Sequence, residues 1–180
     1  MSKFTDFVAK WNNKYCEVVG PTSPNQCFDL VVAWADALGI PRVNGRSVFP
    51  FTYAYQIYSN FGTLQAQYFT KIFNDPNAVP KEGDILVWSY YYNNTAGHTA
   101  IYHSGDVLRI RAFSQNDPTG KPCILRDYSY KHILGWLRPK NYNVTVPLTD
   151  AQIVKAHKDI VNTSISDTDY RNKSRTLLKV

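Results

Sequence analysis

The periodicity of the apolar residues changes at Pro80, and that change restricts the chain to folds with helices first and strands after. Before it, Phe4, Phe7, Val8, Trp11 and Tyr15 recur at helical spacing and predict an amphipathic helix over residues 3–15. Gly20-Pro21 opens a turn that runs to Asn25. From Cys27 onward, Phe28, Leu30, Val31, Trp34, Ala35 and Leu38 mark a second helix, ended by Gly39 and Pro41. Residues 42–80 are crowded with aromatics and predict one or two short helices joined by irregular segments. After Pro80 the pattern is that of strands: Ile85–Trp88, then Thr99–His103, then Val107–Phe113, with two more at Cys123–Arg126 and Gly135–Arg138. Tyr90 to Gly97 reads as a polar, aromatic loop, and Ser104-Gly105-Asp106 as a tight connection. Helices followed by antiparallel strands give an α+β fold.

Pro139-Lys140 closes the strand region, so residues 1–140 are expected to form one domain and residues 141–180 a C-terminal extension. Within that extension Ile153, Val154, His157, Ile160 and Val161 predict a short helix capped by Thr149 or Asp150, followed by a basic tail or linker. A chain of 180 residues is long enough for one well-buried core and too short for two of full size. The formal charge of +6 is spread thinly, with no dense Lys/Arg cluster, and the aromatics are not interleaved with basic residues. Both facts weigh against nucleic acid as a partner, although a mildly basic protein is drawn to an anionic polymer such as a bacterial wall. No apolar run is long enough for a membrane span, and the N-terminus reaches Asp6 without the apolar stretch of a signal peptide. Synthesis in a bacterial cytoplasm without a leader is therefore expected.

The three cysteines, Cys16, Cys27 and Cys123, contain no C-x-x-C and are too widely spaced for a local zinc knuckle. Cys16 and Cys123 are either a disulfide pair or, in a reducing compartment, two buried small hydrophobes. Cys27 stands apart because it opens a helix, where unpaired backbone N–H groups and the positive end of the dipole favour thiolate. The same position also suits a buried core cysteine, but its polar neighbours Asn25, Gln26 and Asp29 point to a cleft. His98 follows Gly97 and precedes a strand, where an imidazole can face a neighbouring helix terminus. His103, five residues on, points to the opposite face of a regular strand. A thiol and an imidazole far apart in sequence but convergent in a fold suit covalent acyl transfer. Such a histidine needs an acceptor on its other ring nitrogen. The turn Ser114-Gln115-Asn116-Asp117-Pro118 offers Asn116 through its amide oxygen or Asp117 through its charge. Gln26 can supply an oxyanion donor beside the Cys27 N–H. Trp88, Tyr91 and Tyr92, in the aromatic stretch before His98, either wall a substrate groove or pack in the core.

Five strings occur in order: Gln26-Cys27-x-Asp29-Leu30, Pro80-x-x-Gly83-Asp84-Ile85, Gly97-His98-x-Ala100-Ile101, Gln115-Asn116 and Gly135-Trp136-Leu137-Arg138-Pro139. Together they resemble the CHAP family, the cysteine, histidine-dependent amidohydrolase/peptidases of bacterial and phage origin. The likeness spans about residues 5–140. It implies a papain-like fold and a cofactor-free monomeric hydrolase of peptidoglycan. Such an enzyme cuts the muramoyl–alanine amide or a bond of the stem or cross-bridge, after release from the host cytoplasm or as part of a virion. It also implies Cys27 as nucleophile, His98 as base and then acid, and Asn116 as the residue that orients His98. Many members read Glu-Gln-Asn where this chain has Ser114-Gln115-Asn116, so either Asn116 suffices, or Asp117 takes part of the role, or activity is reduced. The aspartates that bind calcium before the cysteine in some phage members are missing from residues 20–26, so no metal is expected. Asp29 reads as stabilising the helix start. Two other classes fit the same residues: a non-catalytic wall-binding or structural protein of a phage or conjugation apparatus, and a papain-like protease of a non-wall substrate.

Overall fold

The computed structural model describes residues 2–20, 24–91 and 95–142. Its elements run α1 (Lys3–Trp11), α2 (Cys27–Ala37), α3 (Gln56–Ser59), α4 (Thr63–Tyr68), β1 (Phe69–Phe73), β2 (Ile85–Trp88), β3 (His98–Gly105), β4 (Ile110–Ser114), β5 (Ile124–Tyr128) and β6 (Ile133–Pro139). The strands form one antiparallel sheet in the order β1-β6-β2-β3-β4-β5. The fold is α+β, as the change of periodicity at Pro80 predicts. The extension beyond Tyr142, its expected helix included, and Tyr92 lie outside the described residues. Among the described residues no helix is long and apolar enough to cross a membrane.

Two cores share the sheet. On one face α1 and α2 bury Phe4, Phe7, Leu30 and Trp34 against Ile85, Val87, Ile101 and Phe113. The alternate residues Leu86, Trp88, Ala100, Tyr102, Ala112 and Tyr128 make a second cluster on the other face, as the period-two pleat requires. The rings of Phe4 and Phe7 lie 5.4 and 5.1 Å from Trp34, and the Trp34 indole N–H donates to Gly83 O at 2.9 Å. Asp84 is buried and takes a two-nitrogen grip from Arg138, with Nη2 at 2.7 Å, while the Lys81 N–H donates to it at 2.7 Å. The Gly-Asp and Arg-Pro strings are therefore a structural clamp between β2 and β6.

Three elements differ from the sequence reading. Helix α1 ends at Trp11 rather than Tyr15, because Asn13 takes a left-handed φ of 60°. The chain then pairs with Cys123: Asn13 N–H donates to Cys123 O at 2.8 Å and Cys123 N–H to Lys14 O at 2.9 Å. Val107 to Arg109 form a turn rather than the start of β4, since the Asp106 carboxylate accepts from the Leu108 and Arg109 N–H groups at 2.7 and 2.9 Å. Strand β1 carries no sequence signal, because at the sheet edge only Phe69 of its five residues is buried and no alternation marks it. Cys16 and Cys123 are buried free thiols.

Candidate active site

Cys27 occupies the first position of α2, with Gln26 as the cap. The start is fixed by Asp29, whose buried carboxylate accepts the Gln26 N–H at 2.9 Å through Oδ2 and the Val18 and Val19 N–H groups at 3.2 and 2.9 Å through Oδ1. One side chain thus ends the incoming loop and begins the helix, so the expected role of Asp29 extends to the preceding strap. The Cys27 sulfur, half-buried, meets the backbone N–H of Thr99 on β3. Thr99 is the neighbour of His98. The ladder between β3 and β4 begins only at Ile101, so the first residues of β3 lie beside the helix terminus.

His98 is 2% exposed and shares the second face of the sheet with Trp88, its register partner on β2, at a ring separation of 5.4 Å. Its Nε2 lies 2.9 Å from Ser114 Oγ and 3.7 Å from Asp117 Oδ2. The Tyr128 hydroxyl donates to Ser114 Oγ at 2.8 Å and lies 3.5 Å from the same ring nitrogen. Asp117 in turn holds Arg126 Nη1 at 2.9 Å. Tyr128 donates to Ser114 Oγ, and the bond between Ser114 Oγ and Nε2 takes its direction from the imidazole tautomer; with Nε2–H as the donor, Nδ1 is the basic nitrogen. Ser114, Tyr128 and the Asp117–Arg126 pair are thus the groups set around Nε2.

Burial governs the charge of both reactive groups. It pushes the Cys27 thiol up to about 11, against the pull of the Thr99 and Phe28 N–H groups toward thiolate. Burial also pushes the His98 imidazole down to about 4, opposed by the negative charge of Asp117 and assisted by Arg126. Thiol and imidazole are therefore both neutral near pH 7.

Asn116 does not reach the histidine. Its Nδ2 donates to Gln26 Oε1 at 3.0 Å and its Oδ1 accepts the Gly120 N–H at 2.7 Å, an arrangement set by a left-handed φ of 58° at Asn116. Gln115 works beside it: its Nε2 donates to Gln26 O at 2.8 Å and to Cys16 O at 2.9 Å, and its Oε1 accepts the Cys16 N–H. The Gln-Asn string therefore grips the residue before Cys27. The Gln26 side chain spends one N–H on Pro24 O at 3.0 Å, and the groups that pull the sulfur toward thiolate are the backbone N–H groups of Thr99, Phe28 and Cys27. Trp88 is fully buried behind His98 and lines no groove. Tyr91 is 65% exposed and packs, tilted, on Tyr90 at 4.0 Å; Tyr90 meets Tyr55 edge-on at 6.0 Å, and Tyr55 stacks on Tyr53 at 5.9 Å. Sequence reasoning missed Tyr128, Arg126 and Tyr55. Alternation along β5 places Arg126 and Tyr128 on one face, a signal too short to read before the strand's extent is known. Among the described residues no group of three or more His, Cys, Asp or Glu is placed to hold a metal ion.

No family model matches the sequence, and no curated protein matches it. The fold does match solved structures. The endolysin LysIME-EF1 superposes with a TM-score of 0.56 at 23% identity, covering 77% of this chain and 65% of that one. Ly7917 gives 0.53 at 18% identity over 77% of this chain and 61% of its own, and so does its structure with the hydrolyzing product of MDP, over 76% and 62%. The chain thus spans a little under two thirds of the length of these proteins and shares the fold of an endolysin.

Proposed function

We propose that the protein is a thiol-dependent hydrolase of bacterial peptidoglycan, with a CHAP-type catalytic domain over residues 1–140, a C-terminal extension or linker beyond it, and no metal or cofactor. The observation that carries this reading is the meeting of Cys27, at a helix N-terminus, with the N–H of Thr99 beside a buried, neutral His98 held through Nε2. The fold shared with an endolysin, and the MDP product bound to Ly7917, support wall as the substrate.

In this reading His98 Nδ1 takes the Cys27 proton as the sulfur adds to the amide carbonyl. The oxyanion of the tetrahedral intermediate is held by backbone N–H groups at the start of α2. The C–N bond breaks as His98 returns the proton to the leaving amine. Water, deprotonated by His98, then hydrolyses the thioester and frees the thiol. Because both groups rest neutral, proton transfer accompanies attack rather than preceding it. Ser114, Tyr128 and Asp117 orient the imidazole, taking the part that the resemblance assigns to Asn116, while Asn116 and Gln115 position the nucleophile through Gln26. The exposed Tyr91, with Tyr90 packed against it, is the candidate for the groove wall.

The test compares the protein with Cys27→Ala on purified Gram-positive walls, following turbidity and tagging newly released amino groups. Clearing by the intact protein alone supports the mechanism, and the identity of the new amine separates amidase from endopeptidase. Binding of walls by both proteins with clearing by neither overturns it in favour of a wall-binding protein. Cleavage of unstructured protein in place of walls overturns the substrate.

A further inference from the structure

A hollow of about 330 Å³ opens beside the nucleophile's helix, between α2 and the segment 42–51. Phe28 and Val32 of α2, with Phe49, make its apolar part, and Val19 closes one side. Val19 is held by the same Asp29 carboxylate that fixes Gln26, so this wall and the start of the catalytic helix share one anchor. Phe28, which lines the hollow, directly follows Cys27 in α2, so the hollow borders the helix turn that carries the nucleophile.

Two guanidinium groups line the hollow, and they differ. Arg42 is committed to Asp36, through Nη2 at 2.8 Å and Nε at 3.3 Å. Arg46 has no carboxylate within ion-pair distance among the described residues, and its side chain makes no hydrogen bond there. Its backbone, by contrast, is pinned. Val43 and Arg46 exchange N–H donations at 2.8 and 3.0 Å across Asn44 and Gly45, whose φ values of 51° and 75° are those of a tight two-residue hairpin turn. Among the described residues Arg46 is thus an exposed planar cation without a charged partner, carried on a fixed turn beside the apolar side chains of the hollow. Guanidinium matches a carboxylate by its fork of N–H donors, and the apolar side chains suit the carbon skeleton that carries it.

We propose that this hollow is a substrate subsite that binds a carboxylate of the peptide being cut, with Arg46 as its specificity-determining residue. The proposal rests on the peptidoglycan reading and adds to it: stem peptides with free carboxylates are preferred over the same peptides with those groups amidated.

The experiment measures binding rather than turnover, so that it does not depend on the chemistry of Cys27. Synthetic L-Ala–D-Glu–L-Lys–D-Ala, and the same tetrapeptide with both carboxylates converted to carboxamides, are titrated into the Cys27→Ala full chain by NMR. The same titration is repeated with Arg46→Gln and Arg46→Lys added. The acid form is expected to bind about tenfold more tightly than the amide, the scale of one charge-assisted hydrogen-bonded pair. Arg46→Gln should bring the ratio near one, and Arg46→Lys should keep part of it. A thermal midpoint unchanged in Arg46→Gln checks the fold. An unaltered preference in Arg46→Gln, or no binding of the acid peptide to the parent, overturns the subsite. Failure of the wall assay alone, with the preference intact, overturns the hydrolase reading and leaves the carboxylate site standing.

Discussion

Replacing His98 with glutamine should change how folding stability depends on pH. In the folded protein burial holds the imidazole at about 4 against an ordinary 6.5. Between those values the unfolded chain binds a proton that the folded protein does not, so stability rises with pH there and is lost as pH falls from 6.5 toward 4. Going from pH 7 to pH 4.5, this one group should remove about 2–3 kcal/mol, at about 1.4 kcal/mol per pH unit within that interval. His98→Gln removes that loss and keeps a side chain able to hydrogen-bond Ser114. Carboxylates such as Asp29 and Asp84 also titrate in acid, but they do so in both proteins and cancel in the difference. The assay is urea unfolding followed by tryptophan fluorescence at pH 7.0, 5.5 and 4.5, at constant ionic strength. The variant is expected to be less sensitive to acid than the parent by the stated amount. Parallel losses in the two proteins would refute the claim that burial keeps His98 neutral, and with it the neutral starting state of the proposed mechanism.

Three further outcomes follow from the same geometry. Asp117→Asn removes the charge that raises the basicity of His98, so the acidic limb of the kcat/KM profile on walls should move to lower pH; movement to higher pH contradicts the assignment. Alkylation of Cys27 by iodoacetamide should be slow at pH 7 and should still be accelerating at pH 9, because the thiol sits at about 11; a plateau below pH 7 would mean a preformed thiolate–imidazolium pair. Gly97→Ala should cost about 2 kcal/mol or more in urea unfolding and weaken activity together with stability. Gly97 has a φ of 69°, and a Cβ there would lie 2.5 Å from Trp88 O and 3.0 Å from the Tyr55 Cβ.

The legible parts of the sequence are those where many residues vote the same way. Helix α2 announces itself through six apolar positions and a glycine stop, and β2 through a continuous apolar run, so the α+β order is readable from the chain. What is not readable depends on a single residue's backbone or on a partner distant in sequence. One left-handed asparagine shortens α1, and another turns Asn116 away from the imidazole toward Gln26. Strand β1 pairs with β6 across more than sixty residues and shows the solvent most of its side chains, so it leaves no pattern. Trp88 reads as a groove residue because aromatic and polar neighbours follow it, yet it is the last residue of a strand whose side chain falls on the buried face.

The arrangement around His98 also explains how the chain can lack a glutamate at position 114. A carboxylate there would lie beside a ring already 2% exposed, and its burial would cost several kcal/mol unless the imidazole were charged. Ser114 fits the same space as a neutral hydroxyl that accepts from Tyr128 and bonds to Nε2. The negative charge is moved out to Asp117, 3.7 Å from the ring and already paired with Arg126. That pairing weakens the pull on the imidazole, consistent with a folded value well below 6.5. A base of this kind is deprotonated at neutral pH. It is also a poor proton acceptor until a nucleophile and a leaving group change the charge around it. The proposed hydrolase should therefore be limited by the attack step rather than by the fraction of active base, and activity should stay flat from pH 6 to 8 on walls of constant composition. A steep rise across that interval would place the working pKa of His98 near 7 and show that substrate, or the Asp117–Arg126 pair, rearranges when the site is filled.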